Sequence, residues 1–196
     1  MKQVYVATTN QGKVKEFQEL FKSLNIQMVS LMDAFENVED VEETGTTFEE
    51  NARLKADTYS KRYNVPVMAD DSGLTVDALN GEPGVYSARY AGLDKNDEEN
   101  IEKLLKNLDG NNNRSAAFVS VIAYARPEEE TIVVEGRCEG EIAESAKGSE
   151  GFGYDPVFIP EGYNQTLAEL GPEVKNQISH RRRALDEMIE QIKVHL

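Results

Sequence analysis

Residues 3–31 read QVYVATTNQGKVKEFQELFKSLNIQMVSL, and the periodicity of this stretch decides the class of fold. Residues 3–8 alternate in polarity and are rich in β-formers, which predicts a strand. Thr9 or Asn10 can cap the helix that follows, whose apolar stripe is Val14, Phe17, Leu20, Phe21 and Leu24. Residues 26–31 return to a strand pattern, so the chain opens on a β-α-β unit. Working outward, the loop Asp33–Gly45 leads into a helix near Thr46–Tyr63, with Thr46 or Thr47 as N-cap and Glu49 or Glu50 in the capping-box position. A short buried strand over 65–69 is expected to end at the pair Asp70–Asp71. The Gly- and Pro-rich stretch 79–90 reads as a loop, and 98–108 as a helix with Ile101, Leu104, Leu105 and Leu108 on one face. The strand patterns 115–125 and 131–137, joined by ARPEEE, predict a hairpin. A glycine-rich loop over 148–155 and an amphipathic helix over 181–194 complete the chain. Parallel-style and hairpin-style strands mixed with helices mean α/β with a mixed sheet, in one domain over 1–196.

At 196 residues one core can bury about 70% of the unfolded surface, so neither disulfide nor structural metal is required. Cys138 is the sole cysteine, which excludes an internal disulfide framework and points to a reducing, cytoplasmic compartment. No leader pattern and no apolar run near 20 residues is present, so no membrane partner is expected. A net charge of −15 opposes nucleic-acid binding, which needs an extended basic surface. A nucleotide is different, because local basic groups and a divalent cation can hold a small anion. Charge is polarised along the chain. Residues 33–50 hold eight carboxylates and no basic residue, whereas Lys175, Arg181, Arg182 and Arg183 fall within 175–183 with no acid.

Four motifs carry candidate chemistry. Ala7-Thr8-Thr9-Asn10-Gln11-Gly12-Lys13 lies where the first strand hands over to the first helix, a place where free N–H groups and the helix dipole favour phosphate. The spacing is not that of a Walker loop. In the second, Glu42-Glu43-Thr44-Gly45 precedes a helix on which Asn51 and Lys55, four apart, share a face. The third, Met68-Ala69-Asp70-Asp71-Ser72-Gly73-Leu74, puts two carboxylates at the end of an apolar strand, where hard oxygens suit Mg²⁺; a turn built by Asp70 with Ser72 and Gly73 is the plainer alternative. The fourth is Gly151-Phe152-Gly153-Tyr154-Asp155-Pro156, with Lys175, His180 and Arg181 downstream. Rings between glycines can stack on a base, and His and Arg can donate to ring carbonyls.

In this order the motifs closely resemble the inosine/xanthosine triphosphate pyrophosphatase family. The matching stretches are ATTNQGKVKEF, ETGTTFEENARLKA, ADDSGLTVDALNGEPGVYSARYAG, EGFGYDPVF and KNQISHRRRAL, spread from residue 7 to residue 185. Thr9 departs from the glycine that many relatives carry there. The resemblance implies a homodimer with an elongated mixed sheet flanked by helices, in two lobes with a nucleotide cleft between them. It implies Mg²⁺-dependent hydrolysis of non-standard purine triphosphates (ITP, dITP, XTP) to the monophosphate and pyrophosphate. Thr8, Thr9, Asn10, Gln11, Gly12 and Lys13 would hold phosphates with help from Lys55. Glu42 and Asp71 would bind Mg²⁺, Asp71 also being the candidate proton acceptor, so either a general base too or a metal ligand alone, and Ser72 would touch substrate. Phe152, Gly153, Tyr154 and Asp155, with Lys175, His180 and Arg181, would hold base and sugar. Donors from His180, Arg181 and backbone N–H groups would favour the purine O6 acceptor over the adenine amine. A pyrophosphatase for pyrimidine or modified nucleotides, or a nucleotide-binding protein without catalysis, are the competing readings.

Overall fold

The computed structural model describes residues 2–195. The elements in chain order are β1 (Lys2–Val6), α1 (Gln11–Phe21), β2 (Ile26–Ser30), α2 (Leu31–Ala34), α3 (Phe48–Tyr63), β3 (Val67–Val76), α4 (Asp97–Asn107), β4 (Ser115–Ala125), β5 (Ile132–Ile142), β6 (Phe158–Pro160), α5 (Leu167–Leu170), α6 (Pro172–Ile178) and α7 (His180–His195). Six strands form one sheet in the order β2-β1-β3-β4-β5-β6. β1 pairs in parallel with β2 and with β3, whereas β5 and β6 are antiparallel. The sheet is therefore mixed and the fold α/β, as the periodicity requires.

The chain forms two compact units. One comprises residues up to Asp71, Val121–Glu135 and those from Ala184 onward; the other comprises Ser72–Ser120 and Gly136–Arg183. In the first, the stripe predicted for α1 is observed: Val14, Phe17 and Phe21 are buried. Phe17 and Phe21 join Val4, Met28, Met68, Ile122, Leu185 and Met188 in one core. Asn10 settles the cap, its Oδ1 accepting the Lys13 N–H at 3.2 Å. At α3 the cap is Thr47, whose Oγ1 accepts the Glu50 N–H at 3.1 Å. Glu50 reaches back to the Thr46 N–H at 2.7 Å, one residue short of a capping box.

The second unit packs Leu74, Leu104, Leu108, Phe118, Val157, Phe158 and Leu167 together. Cys138 belongs to this core at 3% exposure, and burial pushes its thiol above the ordinary value. Arg114 stitches the unit by donating to the carbonyls of Ile142 at 2.7 Å, Ala143 at 2.8 Å and Leu108 at 3.2 Å.

Three boundaries differ from expectation. β3 does not end at Asp70–Asp71 but runs through them to Val76, so no turn forms there. The strand carries both carboxylates because lysines meet them, as described below. β5 extends five residues beyond the expected Arg137, since Val134, Gly136, Cys138 and Ile142 continue the inward alternation. The stretch 79–90 starts at the end of one 3-10 turn, Asp77–Leu79, and contains another, Gly84–Arg89, rather than being structureless loop.

Candidate active site

The first group of predicted residues lies wholly within the first unit. Thr8 Oγ1 accepts the Asn10 N–H at 3.1 Å, and Asn10 caps α1, so the turn from strand to helix is pinned by two short side chains. A Cβ on Gly12 would come within 3.1 Å of the capping Asn10 Oδ1, which explains a glycine inside a helix. The first-turn N–H groups of Gln11 and Gly12 have no intrahelical acceptor and remain for an anion. Thr9 and Gln11 are exposed. Lys13 Nζ reaches the Asp70 carboxylate at 3.1 Å, on a side chain only 3% exposed.

Lys55 projects from α3 onto the same strand. Its Nζ donates to the Asp70 carbonyl at 2.6 Å and pairs with Glu43 Oε1 at 2.8 Å. Burial pulls its pKa down, but the charges of Asp70, Glu43 and Asp71 outweigh this and leave it above the ordinary value. Lys55 is thus a fixed positive charge, not a base. Asp71 is the reverse case. Burial first, then the Glu43 and Asp70 charges, push its carboxyl up to about 6 against the opposing pull of Lys55 and an Asn51 hydrogen bond. Its Oδ2 is buried without a hydrogen-bond partner. Such an acceptor calls for a proton, a cation or a water. Among the described residues no group of three or more His, Cys, Asp or Glu is placed to hold a metal. Mg²⁺ needs no such group, since it keeps several waters and takes one or two carboxylates.

The second group lies within the second unit. Asp155, 3% exposed, organises it: Oδ2 accepts the Phe152 N–H at 3.1 Å and pairs with Lys175 Nζ at 2.6 Å. Gly151 sits at φ +77, where any Cβ would collide with that carboxylate. The Gly153 N–H is taken by Asp97 Oδ2 at 3.0 Å. Buried Tyr154 donates to the Ser87 carbonyl at 2.6 Å, and burial raises its pKa far above the ordinary value. Phe152 alone stands out, 63% exposed, with Lys175 Nζ 4.1 Å from its ring centroid. His180 stacks on Phe118 with centroids 5.1 Å apart and planes at 17°, and Arg181 follows it in the first turn of α7. Ser72, half-buried on β3, begins this unit.

Two lysines thus meet β3 at Asp70, Lys13 on its carboxylate and Lys55 on its carbonyl, and separately an exposed ring stands on a clamped loop. A model described as the Ham1 family matches residues 4–191. The chain belongs to the Ham1 family. It is 56% identical over 190 residues to a dITP/XTP pyrophosphatase of Oceanobacillus iheyensis, covering 96% of each chain. A second, from Geobacillus kaustophilus, is 55% identical over 193 residues, with 97% of this chain and 94% of that one covered. Among solved structures, the Ham1 protein of Staphylococcus aureus matches with a TM-score of 0.94 at 47% identity, over 100% of both chains.

The structure brings Lys13, Lys55, Asp70 and Asp71 together, and it brings Phe152, Asp155 and Lys175 together. Glu42 is exposed; its neighbour Glu43, not singled out by sequence, is the carboxylate on Lys55 and in the field of Asp71. Asn51 lies on α3 one turn before Lys55. It bonds the Gly45 N–H at 2.8 Å as well as Asp71, which ties the acidic loop to the strand. The N–H groups of Phe152 and Gly153 both end on carboxylates.

Proposed function

We propose that this protein hydrolyses dITP, ITP and XTP to the monophosphate and pyrophosphate, as a Mg²⁺-dependent cytoplasmic homodimer. The observation that carries this reading is the partnerless buried oxygen of Asp71, in the field of Lys55 and next along the strand to Asp70, whose carboxylate Lys13 holds. Relatives more than half identical over almost their whole length are named dITP/XTP pyrophosphatases.

The phosphates are held by the N-terminus of α1, the Thr8–Lys13 segment and the mobile charge of Lys13. Lys13 exchanges its Asp70 partner for a phosphate oxygen, and Lys55, held by Glu43 and the Asp70 carbonyl, keeps a positive charge in the field of Asp71. Asp71 orients and accepts the proton of the attacking water; a carboxyl at about 6 is nearly fully ionised at neutral pH yet more basic than a free aspartate. Asp71, with a second carboxylate from the Glu42–Glu43 pair, would hold Mg²⁺, which when bound neutralises the triphosphate and polarises the attacked phosphorus. Phe152 stacks on the base, Ser72 touches substrate, and Lys175, His180 and Arg181 address base and sugar.

The test is pyrophosphate release from ITP, dITP, XTP, ATP, GTP and dUTP at equal concentration. Strong release from the first three alone is expected. Preference for dUTP would move the protein to another substrate class, and release from none would leave a binding protein. Sedimentation over a range of concentrations checks the dimer.

A further inference from the structure

We propose that Asp97 is a positioning residue for the nucleoside end of the site: its carboxylate fixes the Phe152–Gly153 peptide and so holds the Phe152 ring where a purine stacks. The proposal rests on reading residues 152–155 as that end.

Asp97 opens α4, and an acid in the first turn is ordinarily explained by the helix dipole. Glu98 and Glu99 already serve that role, and Asn96 already caps the helix, its Oδ1 accepting the Glu99 N–H at 3.0 Å. The Asp97 carboxylate is therefore left over from helix formation. It accepts instead the N–H of Gly153, 56 residues away, at 3.0 Å. Gly153 sits at φ +59, a conformation with no local preference to maintain it.

The same helix grips the loop a second way. Asn100 donates to the Ala88 carbonyl at 2.9 Å and accepts the Ala91 N–H at 2.7 Å, and Lys103 donates to the Tyr90 carbonyl at 2.7 Å. The turn held in this manner offers the Ser87 carbonyl to the Tyr154 hydroxyl at 2.6 Å. Thus α4 contacts the loop directly through Asp97 and indirectly through Ser87. Consecutive N–H groups at 152 and 153 end on two different carboxylates, one buried in the loop's own turn and one on α4. What the loop then presents is a flat ring with one face against Lys175 and its remaining surface exposed. Asp97 acts on binding of the base without touching phosphate.

The experiment compares Asp97→Ala and Asp97→Asn, the latter keeping an acceptor oxygen. The measurements are Gly153 amide exchange, kcat and KM for ITP, calorimetric affinity for IMP, and inhibition by tripolyphosphate. Losing one hydrogen bond to a charged acceptor is expected to raise KM and the IMP Kd by about 5- to 30-fold. Gly153 exchange should accelerate about tenfold or more, kcat should stay within about two-fold, and tripolyphosphate inhibition should be unchanged. Asp97→Asn should fall between wild type and Asp97→Ala. Wild-type KM and IMP affinity in Asp97→Ala would overturn the proposal, as would equal losses in kcat, KM and tripolyphosphate binding. If the unaltered protein neither hydrolyses ITP nor binds IMP, the functional reading fails. Gly153 exchange then still decides whether Asp97 fixes the loop.

Discussion

At the scale of the residue, Asp71 carries two opposed demands. Its carboxyl titrates at about 6 in the fold against 3.8 in the open chain. A raised carboxyl stabilises the fold below the unfolded value and withdraws that stability as pH climbs through the folded one. The interval corresponds to at most about 3 kcal/mol, and to about 1–3 once partial exposure is allowed for. Asp71→Asn is therefore expected to stabilise the protein in EDTA at pH 7–8 by that amount and to have no such effect below pH 4, measured by urea unfolding. The same substitution should lower kcat at least ~10²-fold. Lys13 and the 180–181 pair should part company in a second experiment. Lys13→Ala should weaken ITP and ATP about equally, whereas His180→Ala or Arg181→Ala should contract the ITP:ATP ratio of kcat/KM by about tenfold or more. A ratio moved by Lys13→Ala alone would reverse the division between phosphate end and base end. Asp71 was legible because two aspartates following an apolar run demand a partner. Glu43 was not, because which of two adjacent acids faces inward depends on the path of the loop 35–47, which no periodicity records.

At the scale of the element, legibility followed periodicity. The stripe of α1 and the cap-to-face pattern of α3 announce themselves over several turns. The end of β5 does not, since Gly136, Cys138 and Gly140 alternate with charged residues and look like loop. Yet that end is closely packed. A Cβ on Gly140 would collide with the Ile159 carbonyl and come within 2.7 Å of the Phe158 ring, on the partner strand it pairs with. Gly140→Ala is expected to cost about 2–4 kcal/mol in urea unfolding, by prying β6 from the sheet edge. The short elements α5 and α6 leave no mark in the sequence pattern because four and seven residues carry too few repeats of any period.

At the scale of the molecule, the β-α-β opening disclosed an α/β sheet, but not that the first unit gathers three distant stretches of chain. Closure of that unit by Leu185, Met188 and Ile192 from α7 is a long-range contact that local pattern does not encode. The whole protein carries −15, so an anionic substrate approaches against the net field. Activity should vanish with chelator and return with Mg²⁺; sustained turnover in EDTA would remove magnesium from the account. The second unit also holds a built-in reporter. The lone thiol at 138 is sealed from solvent and reluctant to ionise, so an aromatic disulfide reagent will meet it only when the surrounding core opens. Its labelling rate, read against the same reagent in denaturant, clocks the opening of that core in the native protein without a probe being introduced.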